Sequence, residues 1–148
     1  MILRGTGAAR HCKQSMTPLK TFIVEDSPII LDNLIATLEE LADVRVVGSV
    51  PDETSAVQKI HSGVHDFDLM IIDIFLKSGS GLGVLRAAQE AGVKARRVVL
   101  TNYATPDIRK RCAVLGADRV FDKSSELEDL IEYCSRIADG TATSPGTL

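Results

Sequence analysis

The sequence predicts a single α/β domain built on a doubly wound parallel sheet, and three observations carry that prediction. Five short β-prone runs alternate along the chain with five capped or amphipathic helical patterns, the order that builds βαβ units. The run Phe67-Asp68-Leu69-Met70-Ile71-Ile72-Asp73 holds four consecutive apolar residues, as a strand does when helices cover both faces of its sheet. Charged or polar groups then follow the apolar runs at once, at the carboxyl ends of strands where such sheets bind ligands.

Residues 1–18 mix Gly, Ala, Arg, His, Cys, Lys, Gln and Ser without either period and are expected to form a flexible N-terminal leader, with Met16 a second candidate start. Thr21-Phe22-Ile23-Val24 is the first strand, closed by Glu25-Asp26. Ser27-Pro28 starts a helix, Ser as its cap and Pro at the first helical position, where a missing N–H costs nothing. This helix is predicted to run to about Ala42, laying Ile30, Leu31, Leu34, Ile35, Leu38 and Leu41 on the sheet and turning Asp32, Asn33, Glu39 and Glu40 to water. Residues 44–50 form the second strand, in which Gly48 suggests a sheet edge or a close approach. Pro51-Asp52 turns the chain into a helix bearing Ala56, Val57 and Ile60 that stops near Gly63.

After the third strand, the loop 74–81 contains Gly79 and Gly81 and is expected to hang over the carboxyl edge of the sheet, before a helix carrying Leu82, Leu85 and Ala88. Arg97-Val98-Val99-Leu100 is the fourth strand, closed by Thr101-Asn102. Thr105-Pro106-Asp107 repeats the cap-plus-proline start for a helix through Leu115 that Gly116 ends. Val120-Phe121-Asp122 is the fifth strand, ending at Lys123. Ser125 with Glu128 reads as a capping box opening the last helix, 127–138, and residues 139–148 are a small-residue, flexible tail. The domain therefore spans 19–138. Right-handed crossovers favour the strand order 2-1-3-4-5, the flavodoxin-like arrangement.

A net charge of −3 and a pI near 5.6 argue against a phosphate-backbone-binding surface, and Arg109-Lys110-Arg111 is the largest basic cluster, so no direct nucleic-acid partner is expected. Cys12, Cys112 and Cys134 are odd in number and show no C-x-x-C or Cys/His ligand spacing, which suggests reduced thiols in a cytoplasmic protein. No apolar run approaches a membrane span, and the N-terminus lacks the apolar core of a signal peptide.

In the order 2-1-3-4-5, strands one, three, four and five bring Glu25, Asp26, Asp73, Thr101 and Lys123 to one rim. Three crowded carboxylates repel one another unless a cation neutralises them, and an oxygen-only set suits a hard ion such as Mg2+, which keeps several waters. Lys123 adds a fixed positive charge and Thr101 a hydroxyl donor. With the metal they complement a dianionic phosphoryl group on Asp73, the candidate nucleophile and aspartyl-phosphate former. Singly, an Asp26 that caps a helix, a Thr101 that completes a strand or a solvated Lys123 would be ordinary; the convergence is not. A flavin or nucleotide carrier of the same architecture would need a phosphate-cradling loop after the first strand, where Glu25-Asp26 repel phosphate instead.

Glu25-Asp26 after strand one, Asp73 after strand three, Thr101 after strand four and Lys123 after strand five resemble the receiver domain of two-component response regulators. The resemblance implies that Asp73 accepts a phosphoryl group from a phosphohistidine of a sensor histidine kinase or histidine phosphotransfer protein. It also implies that Asp26, Asp73 and the backbone carbonyl of Phe75 ligate Mg2+, with Glu25 acting through water, while Thr101 and Lys123 hold the phosphoryl oxygens. Such a domain catalyses its own aspartyl phosphorylation and slow autodephosphorylation rather than a metabolic reaction. It signals to a downstream protein through the face of helix four, strand five and helix five.

Three positions depart from the family pattern: Val120 where an aromatic is usual, Ser124 where proline is common, and Asn102 where a smaller residue is usual. Val120 is too stiff and too small to swing between exposed and buried poses, so the switching element is expected in the loop 101–104, with Tyr103 as its ring. Phe75 and Tyr103 are expected to flank the path by which water reaches the phosphoryl group. No output-domain pattern is present, so a receiver of the single-domain type is expected; the alternatives are the N-terminal receiver fragment of a longer DNA-binding regulator and an unphosphorylated pseudo-receiver serving as a docking module.

Overall fold

The run Leu69–Ile72 lies at the centre of the computed structural model, which describes residues 18–140, and every residue of this strand is buried. It is β3. The chain in order is β1 (Leu19–Val24), α1 (Pro28–Leu41), β2 (Val44–Val50), α2 (Glu53–His61), β3, α3 (Gly81–Ala91), β4 (Arg96–Thr101), α4 (Pro106–Val114), β5 (Arg119–Asp122) and α5 (Leu127–Ala138). All strand pairs are parallel and the sheet order is β2-β1-β3-β4-β5, the predicted flavodoxin-like arrangement.

Strand alternation divides the core into two layers. Phe22, Val24, Met70, Ile72 and Val99 face α2, α3 and α4, where they meet Ala56, Ile60, Val84, Leu85, Ala88 and Cys112. Ile23, Leu69, Ile71, Val98, Leu100 and Phe121 face α1 and α5, where they meet Leu34, Leu38, Leu130, Tyr133 and Cys134. Burial raises the thiol of Cys112 to about 11 and that of Cys134 to about 12, so both are protonated and inert at neutral pH. Gly48 lies on the edge strand, and a Cβ there would come within 3.2 Å of the Phe22 ring, beside the register shift between Thr21 and Phe22.

Three local readings are corrected. β1 begins at Leu19, because Leu19 already pairs with Val44. In α1 only Leu34 and Leu38 are buried; Ile30 is 38% and Leu41 53% exposed, because burial is confined to the middle turns and the terminal turns carry these side chains outward. The Ser125/Glu128 capping box does not form. The cap of α5 is Glu126 without a side-chain cap bond, and its carboxylate is engaged elsewhere, accepting from Asp122 N–H and Arg109. The expected leader and tail fall outside the described residues except for Pro18, Asp139 and Gly140, as do Met16 and Cys12. Among the described residues no helix is long and apolar enough to cross a membrane.

The start of α3 is pressed against the backbone that leaves β3. A Cβ on Gly81 would sit 2.2 Å from the Asp73 carbonyl oxygen and 2.8 Å from Ile74 Cα, so only glycine lets the helix begin there. The loop 74–80 is thereby folded tightly over the carboxyl edge of the sheet.

Candidate functional site

The strand ladders continue just past their ends. Asp73 N–H donates to Val24 O (3.0 Å) and Glu25 N–H to Val50 O (3.1 Å), which fixes neighbouring carboxylates at the rim. Glu25 is 4% and Asp73 7% exposed, Asp26 is half-buried, and one oxygen of each lies within 4.8 Å of the others. Lys123 reaches in from beyond β5, its Nζ donating to Glu25 Oε1 at 2.8 Å and to Asp73 Oδ2 at 3.0 Å. Burial alone would lower the Lys123 pKa. The bonds to Glu25 and Asp73 and their charge outweigh that and hold it above the ordinary lysine value.

The remaining oxygens hold the loops. Glu25 Oε2 accepts from Ser27 N–H (3.0 Å), Asp26 Oδ2 from Lys77 N–H (2.6 Å) and Asp73 Oδ1 from Phe75 N–H (3.3 Å). Thr101 is fully buried, and its hydroxyl accepts from Tyr103 N–H at 3.3 Å, while its carbonyl accepts from Lys123 N–H at 2.9 Å. Glu25, Asp26, Asp73 and Lys123 are thus in one cluster, with Thr101 adjoining through Lys123's backbone and Phe75 through Asp73's carboxylate. With the carboxyls ionised, three negative charges face one ammonium, an excess of two that a hard divalent cation would neutralise with an all-oxygen donor set. The residues present therefore fit Mg2+.

The family model described as "Response regulator receiver domain" matches residues 21–135. The chain belongs to the response-regulator receiver family. Among curated proteins, it is 27% identical over 122 residues to the uncharacterized transcriptional regulatory protein YvfU of Bacillus subtilis (strain 168), covering 82% of this chain and 60% of that one. It is 31% identical over 126 residues to the nitrate/nitrite response regulator protein NarP of Escherichia coli (strain K12), covering 84% and 57%. The receiver thus spans about three fifths of the length of these relatives. Among solved structures, the signal receiver domain of the putative response regulator NarL from Mycobacterium tuberculosis superposes with a TM-score of 0.72 at 20% identity, covering 83% of this chain and 98% of that one. The isolated receiver of RcsB from Salmonella enterica serovar Typhimurium, in the presence of phosphomimetic BeF3-, gives 0.72 at 22% identity, covering 86% and 93%. These likenesses establish the fold. Receiver domains bind Mg2+ in general, and Glu25, Asp26 and Asp73 form an acidic cluster that could hold a metal ion.

Sequence reasoning missed a second network in this receiver. Arg109 donates from Nε to Ala104 O (3.1 Å), from one terminal nitrogen to Val120 O (2.9 Å) and from the other to Glu126 Oε1 (2.9 Å). One guanidinium therefore ties the loop after Thr101 to β5 and to the start of α5. The Arg109 side chain and the Asp122 N–H hold the Glu126 carboxyl below its usual range. A carboxylate shifted in this direction contributes stability above its unfolded pKa and loses it only as pH falls through the lower folded value. The Asp122 and Ala104 amide resonances are therefore expected to stay constant while pH falls through the ordinary glutamate range and to move only below it. A titration centred at the ordinary glutamate value would contradict the clamp.

Proposed function

We propose that this receiver takes a phosphoryl group from the phosphohistidine of a sensor histidine kinase or phosphotransfer protein onto Asp73. An Asp73 carboxylate oxygen attacks phosphorus, the N–P bond breaks, and the imidazole keeps the electron pair and is reprotonated. The observation that carries this reading is Lys123 Nζ within 3.0 Å of both Glu25 and Asp73, because it places a fixed cation beside the nucleophile's carboxylate, where it would meet the oxygens of an arriving phosphoryl group. Asp26, Asp73 and the Phe75 carbonyl would hold Mg2+, with Glu25 acting through water, and the metal would supply neutralisation of the phosphoryl charge. Thr101 contributes its O–H, which would donate to a phosphoryl oxygen while Oγ1 goes on accepting from Tyr103 N–H. Slow autodephosphorylation resets the state.

The signal is read, on this account, at the face of α4, β5 and α5, to which the Arg109 clamp joins the loop after Thr101. Val120, packed against the core layer under α4, is too small for the usual aromatic swing, and Phe121 packs in the opposite layer. The matched relatives named as transcriptional or response regulators extend well beyond the matched region, which supports a second reading: this receiver belongs to a longer DNA-binding regulator.

Incubation with acetyl phosphate and Mg2+ is expected to add one phosphoryl group to the intact mass of the protein and none to Asp73→Asn. No gain in the native protein would replace this reading with that of a docking pseudo-receiver. Labelling that persists in EDTA would remove the role of the metal.

A further inference from the structure

Glu53 stands outside the acidic rim, at the first position of α2, yet its carboxylate crosses to the loop that carries Phe75. Its Oε1 accepts from Ser80 N–H at 2.8 Å, and its own N–H donates to Ser78 O at 3.3 Å. Two glycines make the slot for this side chain. A Cβ on Gly79, whose φ is +84°, would lie 2.4 Å from Glu53 Cβ, and a Cβ on Gly83 would lie 2.1 Å from Oε2. Ser80 in turn forms an antiparallel bridge with Phe75, and Gly81 N–H donates to Ile74 O at 2.9 Å. A continuous set of contacts therefore runs from Glu53 through Ser80 to Phe75, whose carbonyl is a proposed metal ligand. Asp73 and Asp26 also grip this loop, accepting from Phe75 N–H and Lys77 N–H, but both are themselves proposed ligands. Glu53 is the anchor that the site does not use.

We propose that Glu53 is a positioning residue for the metal-binding loop, holding the Phe75 carbonyl in place through Ser80. The proposal rests on the receiver reading above. Partners that orient a ligand without touching the metal commonly govern its affinity, and Gly79 and Gly83 are the small residues that admit this one. The competing role is that of a simple cap, since a carboxylate near the N-terminus of α3 is favourable whatever the loop does. Capping would alter stability and leave metal affinity alone.

The test is a Mg2+ titration followed by amide shifts, together with denaturant unfolding, on the native chain and four variants. Glu53→Ala is expected to weaken Mg2+ binding about 10-fold and to speed amide exchange at Ser80 in metal-free protein. Glu53→Gln keeps an acceptor oxygen and is expected to recover most of that loss. Gly83→Ala fills the slot and should weaken Mg2+ like Glu53→Ala, even though alanine favours a helix, and the two changes combined should be no worse than either alone. Native protein that binds Mg2+, with Glu53→Ala binding it equally well, overturns the positioning role and leaves the receiver reading intact. Native protein that binds no Mg2+ overturns both.

Discussion

Lys123→Ala is expected to cost the metal-free protein about 3 kcal/mol, or about 10 °C in Tm, with much of the loss restored by Mg2+. The Lys123, Glu25 and Asp73 side chains are 11%, 3% and 8% exposed, so the ammonium is removed from two carboxylates that water cannot solvate in its place. Breaking one side of a buried ion pair is expensive for that reason, whereas an exposed pair would contribute little. The raised Lys123 pKa means that its contribution is complete below the ordinary lysine value and fades only as pH rises past the folded one, so the comparison can be made anywhere near neutrality. Mg2+ brings positive charge to the same oxygens and should bind the variant more tightly than the native protein. Thermal unfolding in EDTA and in saturating Mg2+ measures both effects. An equal deficit in the two conditions would show that lysine and metal do not share the carboxylates. The phosphorylated variant should also lose any amide change in the loop 101–104, where the switching element is expected, because the cation that would draw the phosphoryl group toward β5 is gone.

The architecture was legible because it rests on signals local in sequence. Apolar runs closed by Glu25, Asp73 and Thr101 mark strands together with their polar ends, Ser27-Pro28 and Thr105-Pro106 mark helix starts, and the handedness of crossovers orders the strands. Gathering Glu25, Asp73 and Lys123 followed from that order alone, although they are up to 98 residues apart. What escaped was settled by competition between partners. Ser125 and Glu128 have the spacing of a capping box, yet Asp122 captures Ser124, and Glu126 takes the Asp122 N–H and Arg109. Arg109 read as one of three clustered basic residues, and only the fold shows it spending its donors on Ala104, Val120 and Glu126. Glu53 could not have been found from spacing, since its partner is 27 residues away and the space for it is made by side chains that two glycines lack.

Phe75→Asn combined with Tyr103→Ala is expected to shorten the phosphoryl lifetime by about 10-fold or more. The two rings meet edge to face, centroids 5.1 Å apart at 77°, although Phe75 is 50% and Tyr103 60% exposed. Exposed rings gain from such a pairing, worth about 1 kcal/mol. Each is also rooted in the site, Phe75 N–H on Asp73 Oδ1 and Tyr103 N–H on Thr101 Oγ1, both at 3.3 Å. The pair is therefore hung from Asp73, the proposed acceptor, and from the Thr101 hydroxyl. On the proposed reading, hydrolysis needs a water in line with the bond to the Asp73 oxygen, and rings anchored beside that oxygen would close over its approach. Because each ring steadies the other, the single variants should each give most of the gain and the double little more. Phosphoprotein freed of acetyl phosphate and followed by intact mass reports the rate. A double variant that loses phosphate no faster than the native protein would mean that water enters elsewhere, and fully additive single effects would mean that the rings act separately rather than as one lid.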